Sequence, residues 1–481
     1  MDPLLLVVIV IALALFFDFT NGFHDTANAM ATPVATGAIK PKTAVALAAA
    51  LNLVGAFLST EVAKTVSKGI INEGEGPGSV AITPSIILAG LMGAVIWNLI
   101  TWLKGLPSSS SHALFGGLIG AAIVGAGFGA VNYGTLVDKV LLPALAAPLI
   151  AGFAAFLATK LAYWITKRPS GTASPRRGGF RVGQIFSSSL VALAHGTNDA
   201  QKTMGIITLV LISAGHQSAG SGPELWVVAA CAVAIALGTY TGGWRIMRTM
   251  GKGLTDVKPA QGFAAEVSTA SAILASSHLG FALSTTQVAS GSVIGSGLGR
   301  KGAGVRWRTA GRIATGWLFT LPAAAIVGAI AAGLTHLGLV GMIVLIVAGL
   351  GSILGIFIYS QKDAVGHHNA MSDVDASGAA VHIPTKKERR SVARKARNAA
   401  QRAEMEAKRA RRAANEAAKH AKDLAAAELR ETRRKLDEEA AARRRAVKAE
   451  GTAESPEAAA ALVETESVTE PASAPAEHKE N

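Results

Sequence analysis

Two aspartates lie within polar motifs that interrupt apolar stretches of the sequence. Asp25 belongs to the motif GFHDTANAM at residues 22–30. Asp199 belongs to the motif GTNDAQKTM at residues 196–204. A carboxylate in an apolar, membrane-like setting is energetically costly, and such a group usually binds a proton or a cation. We therefore expect Asp25 and Asp199, with Asn198 beside the second, to hold a proton or a coupling ion. The structural alternative is that each acid only orders a neighbouring amide or hydroxyl.

Two segments rich in Ser and Thr offer the complementary chemistry, which is the binding of an oxyanion. Residues 105–112 have the sequence GLPSSSSH, and residues 280–287 have the sequence GFALSTTQ. Gly and Pro interrupt helices, and the free amides at the start of the next helix favour an anion. Hydroxyls add donors without fixed charge, although they also bond back to helix carbonyls. The candidate anion ligands are Ser109, Ser110, Ser111, Ser284, Thr285, Thr286 and Gln287, with Asn28 and Lys202 from the aspartate motifs.

The two kinds of motif recur in the same order, at nearly the same spacing. Asp25 precedes Ser110 by 85 residues. Asp199 precedes Thr285 by 86 residues, and a TxxKG motif lies between the elements in each half. This recurrence predicts an internal duplication. Secondary transporters commonly consist of two such repeats, whose interrupted helices form a substrate site near the membrane midplane.

Composition separates an apolar body from a charged tail. Half of the 481 residues are hydrophobic, and the mean hydropathy is +0.38. Residues 1–360 contain 22 Lys and Arg and 11 Asp and Glu, whereas residues 361–481 contain 24 and 21. The apolar runs predict an all-α membrane protein with discontinuous or re-entrant helices and about 10–12 membrane segments. We divide the chain into a first repeat at 1–166, a basic cytoplasmic linker at 167–183, a second repeat at 184–360 and a helical to disordered tail at 361–481.

Charge and flanking residues also indicate how the chain enters the membrane. The basic connections at 167–181 and 300–312 are expected on the cytoplasmic side. Two crossings after Arg312 would place the tail in the cytoplasm. The apolar run at 4–17 lacks a basic leader and a small-residue cleavage site, so we interpret it as a retained membrane segment. Cys231 is the single cysteine, which excludes an intrachain disulfide.

Four further ionisable residues could assist transport. His24, His112 and His195 lie within or beside the motifs, where each serves either as a structural donor or in proton passage. Glu266 lies in an apolar stretch with no obvious local partner, so we add it to the candidates for coupling.

The motifs resemble the signatures of the PiT family of inorganic phosphate transporters. The matching segments are NGFHDTANA at 21–29, WNxxTW at 97–102 followed by GLPSSSSH, and AHGTNDAQK at 194–202. The resemblance covers about residues 1–360. It implies a low-affinity phosphate symporter with two inverted repeats that works by alternating access in the plasma membrane. It implies inorganic phosphate and membrane lipid as partners, with no nucleic acid and no cofactor, and leaves a homodimer open.

The resemblance also bears on the coupling ion. Members of the family couple phosphate to sodium or protons, and bacterial members often carry metal–phosphate with a proton. The usual first motif of the family is GAND, whereas this chain has His24 at the third position. Lys202 stands where the first repeat has Asn28. An ammonium beside Asp199 would occupy the place of a sodium ion, so we expect proton coupling, with sodium coupling as the alternative.

Three other functions are compatible with parts of this pattern. A permease for another tetrahedral oxyanion, above all sulfate, would use the same donors. An intramembrane Ser/His hydrolase would need one serine held against one base. The serine element recurs here with Gln287 in place of His112, which favours a two-repeat transport site over an enzyme. A lipid- or RNA-binding scaffold would depend on the tail at 386–448 instead.

Overall fold

The computed structural model describes residues 2–69, 82–165, 179–218, 220–363, 365–366 and 386–450. Nearly all of these residues are helical, and within them a single β-bridge joins Thr255 to Val305. The all-α prediction is therefore confirmed. The helices are α1 (Pro3–Ala35), α2 (Pro41–Gly55), α3 (Glu61–Gly69), α4 (Pro84–Leu103), α5 (Ser110–Ala126), α6 (Tyr133–Leu136), α7 (Leu142–Ile165), α8 (Gly179–Ser213), α9 (Leu225–Thr241), α10 (Trp244–Arg248), α11 (Pro259–His278), α12 (Thr285–Gly299), α13 (Trp307–Thr335), α14 (Gly338–Ser360) and α15 (Lys386–Glu450), with π-helical turns at Val137–Leu141 and Thr249–Gly253 and 3-10 turns at Phe128–Ala130 and Gln361–Asp363.

Several helices are long and apolar enough to cross a membrane. Among the described residues there are five, or six if the bent pair Leu225–Thr241 and Trp244–Gly251 forms one span. The five are α1, α4, Tyr133–Ile165, α13 and α14. Leu318, Val340 and Val347 are 64–71% exposed on α13 and α14, which is the kind of surface that lipid covers. The chain is an integral membrane protein, and the larger number of about 10–12 segments stays a prediction.

The aspartate motifs do not interrupt their helices, and on this point the sequence prediction was wrong. The sequence predicts discontinuous helices at such polar motifs, but α8 runs through the second motif as one helix of 35 residues. Likewise α1 continues through the first motif for 33 residues. Hydroxyls in the motifs bond to carbonyls one turn back, as Thr26 does to Gly22 at 2.6 Å. The polar side chains thus find partners without any break in the backbone ladder.

The helices break at the two Ser/Thr-rich segments, as predicted. After α4 the chain turns at Gly105 with φ +60°, and after α11 it turns at Gly280 with φ +70°. This left-handed conformation ends a helix readily only at glycine. The next helix in each half then begins with a serine cap. The Ser109 hydroxyl accepts from the His112 amide at 3.1 Å, and the Ser284 hydroxyl accepts from the Gln287 amide at 3.3 Å.

Corresponding helices of the two halves make reciprocal contacts through glycine. In α5, Gly116 and Gly120 lie directly against the backbone of α13, and in α12, Gly291 and Gly295 lie directly against the backbone of α7. Thus each break-bearing helix packs on a long helix from the other half. The contacts support the predicted duplication, whereas the inverted orientation of the repeats in the membrane stays a prediction.

Reciprocal contacts through glycine also occur around the aspartate motifs. Gly22 of α1 packs against the backbone of α9, and Gly196 of α8 packs against the backbone of α2. A side chain at any of these glycines would meet backbone atoms of the facing helix. Close approach of helices through small residues is a typical source of stability in membrane proteins.

The charged tail forms a separate unit, residues 382–481. In this unit α15 extends for 65 residues, and Leu424, Leu429 and Leu436 on it are exposed. Pairs such as Lys408–Glu404, at 2.9 Å, link successive turns. Residues 386–450 of the predicted tail are helical in this structure. Residues 167–178 of the predicted linker and residues 451–481 lie outside the described residues, and 179–183 begin α8. The predicted domain boundaries stay a prediction.

We expect Gly120→Ala and Gly295→Ala to destabilise the protein by about 1–3 kcal/mol each, because the added methyl must displace backbone atoms. Gly316→Ala is the matched control, since no atom lies within 4 Å of a Cβ built there. In the control, alanine should leave stability unchanged or raise it, because alanine favours helix over glycine. Thermal unfolding in detergent would measure all three variants. Equal melting temperatures for Gly120→Ala and Gly316→Ala would contradict the packing argument.

Candidate functional site

Asp25 on α1 and Asp199 on α8 lie together in the buried interior. Asp25 is 1% exposed and Asp199 is fully buried. The hydroxyl of Thr285, at the start of α12, lies 3.3 Å from Asp25 Oδ2 and 2.9 Å from Asp199 Oδ2. A hydroxyl has one proton to donate. Thr285 can therefore satisfy only one of the two carboxylates at a time.

The other partners of Asp25 are uncharged hydroxyls and a histidine. Ser110 donates to Asp25 at 2.9 Å and Thr286 donates at 3.2 Å. The His24 ring contacts the same carboxylate through Nδ1 at 2.6 Å. Asp25 thus lies between the Ser/Thr-rich breaks of both halves, which is the convergence that the duplicated motifs predict.

Lys202 gives Asp199 a charged partner. The Lys202 ammonium forms an ion pair with Asp199 one turn earlier on α8, and His195 Nε2 lies 2.8 Å from the other carboxylate oxygen. Lys202 is 2% exposed. Removing one partner of a buried ion pair leaves the other as an uncompensated charge, which is strongly destabilising.

Lys202 also connects the two breaks. Its ammonium donates to the Ser111 hydroxyl at 2.6 Å and to the Leu283 carbonyl at 2.8 Å. Ser111 belongs to the first half and Leu283 to the second. A single buried cation therefore holds both breaks beside the two acids.

Asn28 holds the corresponding position in the first repeat. Its amide donates to the Thr286 hydroxyl at 3.0 Å and lies 3.4 Å from the Thr285 hydroxyl. Its oxygen has no hydrogen-bond partner among the described residues. Asn28 and Lys202 each bind the break of the opposite half, but only Lys202 brings a positive charge.

Not every candidate hydroxyl is free to serve a ligand. Ser109 and Ser284 cap α5 and α12, so their oxygens already accept a hydrogen bond from a backbone amide.

The other two candidate amides contact neither acid. The Gln287 side chain lies 3.5 Å from the His112 ring. Neither side-chain polar atom of Asn198 has a hydrogen-bond partner within the described part of the chain. Ser110, Ser111, Thr285 and Thr286 are therefore the candidates that reach the acids or Lys202.

Glu266 forms a separate cluster with α1 and α8. It accepts from Thr32 at 2.5 Å, Ser187 at 2.5 Å and Gln184 at 3.0 Å. Thr32 is seven residues beyond Asp25, which is about two helical turns or 10 Å along α1. Glu266 is buried like the central acids, but the structure does not bring it to them.

A chain of hydrogen-bonding groups runs away from Asp25. His24 contacts Asp25 through Nδ1, and its Nε2 lies 3.3 Å from the Ser108 hydroxyl. Ser108 donates to the Thr101 hydroxyl at 2.7 Å. Such a chain can pass a proton, and a structural role for His24 accounts for the same contacts. The hydrogen bonds of Ser108 to His24 and to Thr101 were not predicted from the sequence.

The arrangement has ligands for a small cation. Asp25, His195 and Asp199 each offer one ligand atom, and the three atoms lie within 4.8 Å of one another. Lys202 already provides a positive charge at Asp199. The site can thus balance negative charge with a fixed ammonium, with protons or with a bound ion.

We expect Asp199→Asn to lower the unfolding free energy by about 3–5 kcal/mol, because Lys202 then lies buried without its counter-ion. Asp25→Asn should cost less, since its partners are hydroxyls and an imidazole rather than a fixed charge. Chemical unfolding in detergent would measure both variants. Adding Lys202→Met to Asp199→Asn should recover part of the loss. Equal losses of unfolding free energy in Asp199→Asn and Asp25→Asn would contradict the assignment of the charged partner to Asp199.

The sequence profile of the phosphate transporter family matches residues 21–328. A probable low-affinity inorganic phosphate transporter of Mycobacterium bovis is 53% identical over 373 residues, which are 77% of this chain and 88% of the relative. A Bacillus subtilis protein of the same name is 43% identical over 332 residues, covering 69% of this chain and 98% of the relative. A solved structure described as the sodium-dependent phosphate transporter has a TM-score of 0.61 at 24% identity and covers 69% of this chain and 100% of that chain. That similarity shows the fold.

Proposed function

The chain belongs to the phosphate transporter family, and we propose that it imports inorganic phosphate, free or as metal–phosphate, in symport with protons by alternating access. It is a transporter rather than an enzyme, in keeping with its family. We place it in the plasma membrane with a cytoplasmic tail, from the distribution of basic residues.

The observation that carries this proposal is that the candidate phosphate donors point at the acids. Ser110, Thr285 and Thr286 all lie within 2.9–3.3 Å of a carboxylate oxygen of Asp25 or Asp199. A hydroxyl that donates to phosphate can no longer donate to a carboxylate. Phosphate binding therefore removes hydrogen bonds from the acids and favours their neutralisation.

This competition gives a physical reason for symport. An acid that loses its hydrogen-bond donors inside the membrane is costly in the ionised form. It gains most from a proton or cation while phosphate occupies the hydroxyls. When phosphate leaves, the hydroxyls return to the carboxylates and the proton or cation can leave too. Ser110 and Ser111 from one half, with Thr285 and Thr286 from the other, would bind the phosphate oxygens.

Lys202 favours protons over sodium as the coupling ion. Its ammonium already lies against Asp199, Ser111 and the Leu283 carbonyl, where it takes up the oxygens that a sodium ion would use. Sodium coupling is the alternative, and the protein of similar structure is described as sodium-dependent. In this alternative, sodium would bind near Asp25, where Asn28 stands in place of lysine.

Uptake of labelled phosphate into proteoliposomes tests the coupling ion. We expect an inward proton gradient to drive phosphate accumulation without sodium, because the Lys202 ammonium already supplies the positive charge at Asp199. A sodium gradient at equal pH on both sides should drive none. Accumulation driven by sodium alone would refute proton coupling. Unlabelled arsenate should compete with phosphate, and unlabelled sulfate should not; strong competition by sulfate would instead support a broader oxyanion permease.

Replacing Lys202 by the residue at the equivalent position of the first repeat tests its role. In Lys202→Asn, the oxygens of Asp199, Ser111 and Leu283 become available to a cation, so phosphate transport should gain a severalfold dependence on sodium. Sodium should also raise the melting temperature of this variant but not that of the native chain. Lys160→Asn changes an exposed lysine on α7 and serves as the control. A variant that transports but ignores sodium in both measurements would contradict the role.

A further inference from the structure

Each half of the chain contains one TxxKG motif that the proposed transport cycle does not use. The first motif, residues 65–69, ends α3, and the second, residues 249–253, forms the π-helical turn after α10. The Thr249 hydroxyl donates to the carbonyl of Gly105, where the chain turns into the first break, at 2.8 Å. Because Gly105 belongs to the first half, this hydrogen bond joins the motif of one half to the break of the other.

Thr65 of the first motif lies in the corresponding place against the second break. A Cβ atom built at Gly280 would lie 2.9 Å from Thr65 Oγ1, and one built at Gly105 would lie 3.6 Å from Thr249 Oγ1. In both cases the carbonyl four residues before the threonine is also within 4 Å. The two motifs therefore make equivalent contacts, each with the break glycine of the opposite half.

The two threonines differ in the acceptor that they use. Thr65 donates to the Glu61 carbonyl on its own helix, at 3.2 Å, and among the described residues it forms no hydrogen bond to the second break. The Thr249 hydroxyl also has an acceptor in its own segment, the Arg245 carbonyl at 3.4 Å, but its shorter contact is to the first break. A hydroxyl has one proton to donate. Each threonine can therefore donate either to its own segment or to the facing break.

The segments that carry these threonines are anchored on the helices of the acids. Gly243, just before α10, packs against the Phe23 carbonyl of α1. In α3, the Val62 amide donates to the Gln201 side chain of α8 at 2.8 Å. Phe23 and Gln201 each lie two residues from the aspartate of their motif. A hydrogen bond from a motif threonine to a break therefore fixes that break relative to the acid of the same half.

The charge pattern predicts that the two threonines lie on opposite sides of the acids. After Thr249 the chain reaches Thr255, which forms the β-bridge to the basic connection predicted to be cytoplasmic. Helix α8 starts from the other basic connection, and α3 packs against it beyond Asp199, at Gly205. Thr249 is therefore expected on the cytoplasmic side and Thr65 on the external side.

We propose that Thr65 and Thr249 are positioning residues that hold the two breaks in turn during the transport cycle. This inference rests on the proposed alternating access and names two residues that control it. In the conformation seen here, Thr249 holds the first break and closes the cytoplasmic side, and Thr65 does not hold the second break. In the opposite conformation, Thr65 donates to the Gly280 carbonyl and Thr249 donates to the Arg245 carbonyl. Each conformation contains the same number of these hydrogen bonds, which suits a two-state element.

The test measures the phosphate concentration for half-maximal transport from each side, in right-side-out and inverted membrane vesicles that contain the full chain. Thr249→Val should favour the conformation open to the cytoplasm. Because phosphate binds from outside only to the fraction open to that side, the ratio of the external to the internal value should rise. Loss of one hydrogen bond should change this ratio by about 2- to 10-fold. Thr65→Val should lower the ratio, and the double variant should return it towards the native value.

The controls separate the hydroxyl from the shape of the side chain. Thr249→Ser and Thr65→Ser keep the hydroxyl and should keep the native ratio. Thr208→Val is the matched control, because the buried Thr208 hydroxyl donates to its own helix at the Met204 carbonyl, at 2.8 Å. Should a valine variant not fold, Thr249→Ala and Thr65→Ala remove the same hydroxyls with a smaller side chain, and the same opposite shifts are expected.

The outcomes distinguish this inference from the proposed function. If the native chain transports no phosphate from either side, the proposed function fails. If the native chain transports phosphate but Thr249→Val and Thr65→Val change the ratio in the same direction, or no more than Thr208→Val does, the inference is overturned and the transport function stands. Serine variants that behave like the valine variants would also overturn it, since the hydroxyl would then not be the group that acts.

Discussion

One hydroxyl shared by two carboxylates organises the centre of this protein. Thr285 reaches both Asp25 and Asp199, yet it can satisfy only one of them. Two acids at this distance are tolerable in a membrane interior only because neighbouring donors and a buried ammonium stabilise them. The breaks after α4 and α11 bring those donors in, and the long helices α1 and α8 hold the acids opposite them. An anion that accepts hydrogen bonds from these hydroxyls removes them from the carboxylates, so the ionised form of the acids becomes less favourable.

The two repeats supply equivalent positions with different chemistry. Asn28 and Lys202 occupy matching places and bind opposite breaks, but one is neutral and the other is a cation. Matching positions of the two predicted repeats therefore differ in charge. The asymmetry places the fixed positive charge on the side of Asp199, whereas the partners of Asp25 are hydroxyls and imidazole rings. This division of roles follows from a single residue type at one position of the duplicated motif.

The sequence was informative where residue type alone decides the outcome. The cost of burying Asp25 and Asp199, and the need of both breaks for glycine, can be inferred without coordinates. The sequence could not show that α1 and α8 continue through their polar motifs, because this depends on which side chains find partners across the interior. It could not distinguish the capping serines Ser109 and Ser284 from their neighbours, since the distinction is one of direction.

The reciprocal glycine contacts determine which parts of the molecule can move as units. Helix α5 packs against α13, and helix α12 packs against α7. In each pair the two backbones lie so close together that the helices cannot move freely past one another. Each of these pairs combines helices from both halves of the chain. A conformational change that exposes the buried acids to one side of the membrane and then to the other would therefore move two helix pairs, α5 with α13 and α12 with α7. These pairs would move relative to α1, α2, α8 and α9. The bodies that move would not coincide with the predicted repeats, and strain introduced in one half would be transmitted to the Ser/Thr-rich break of the other.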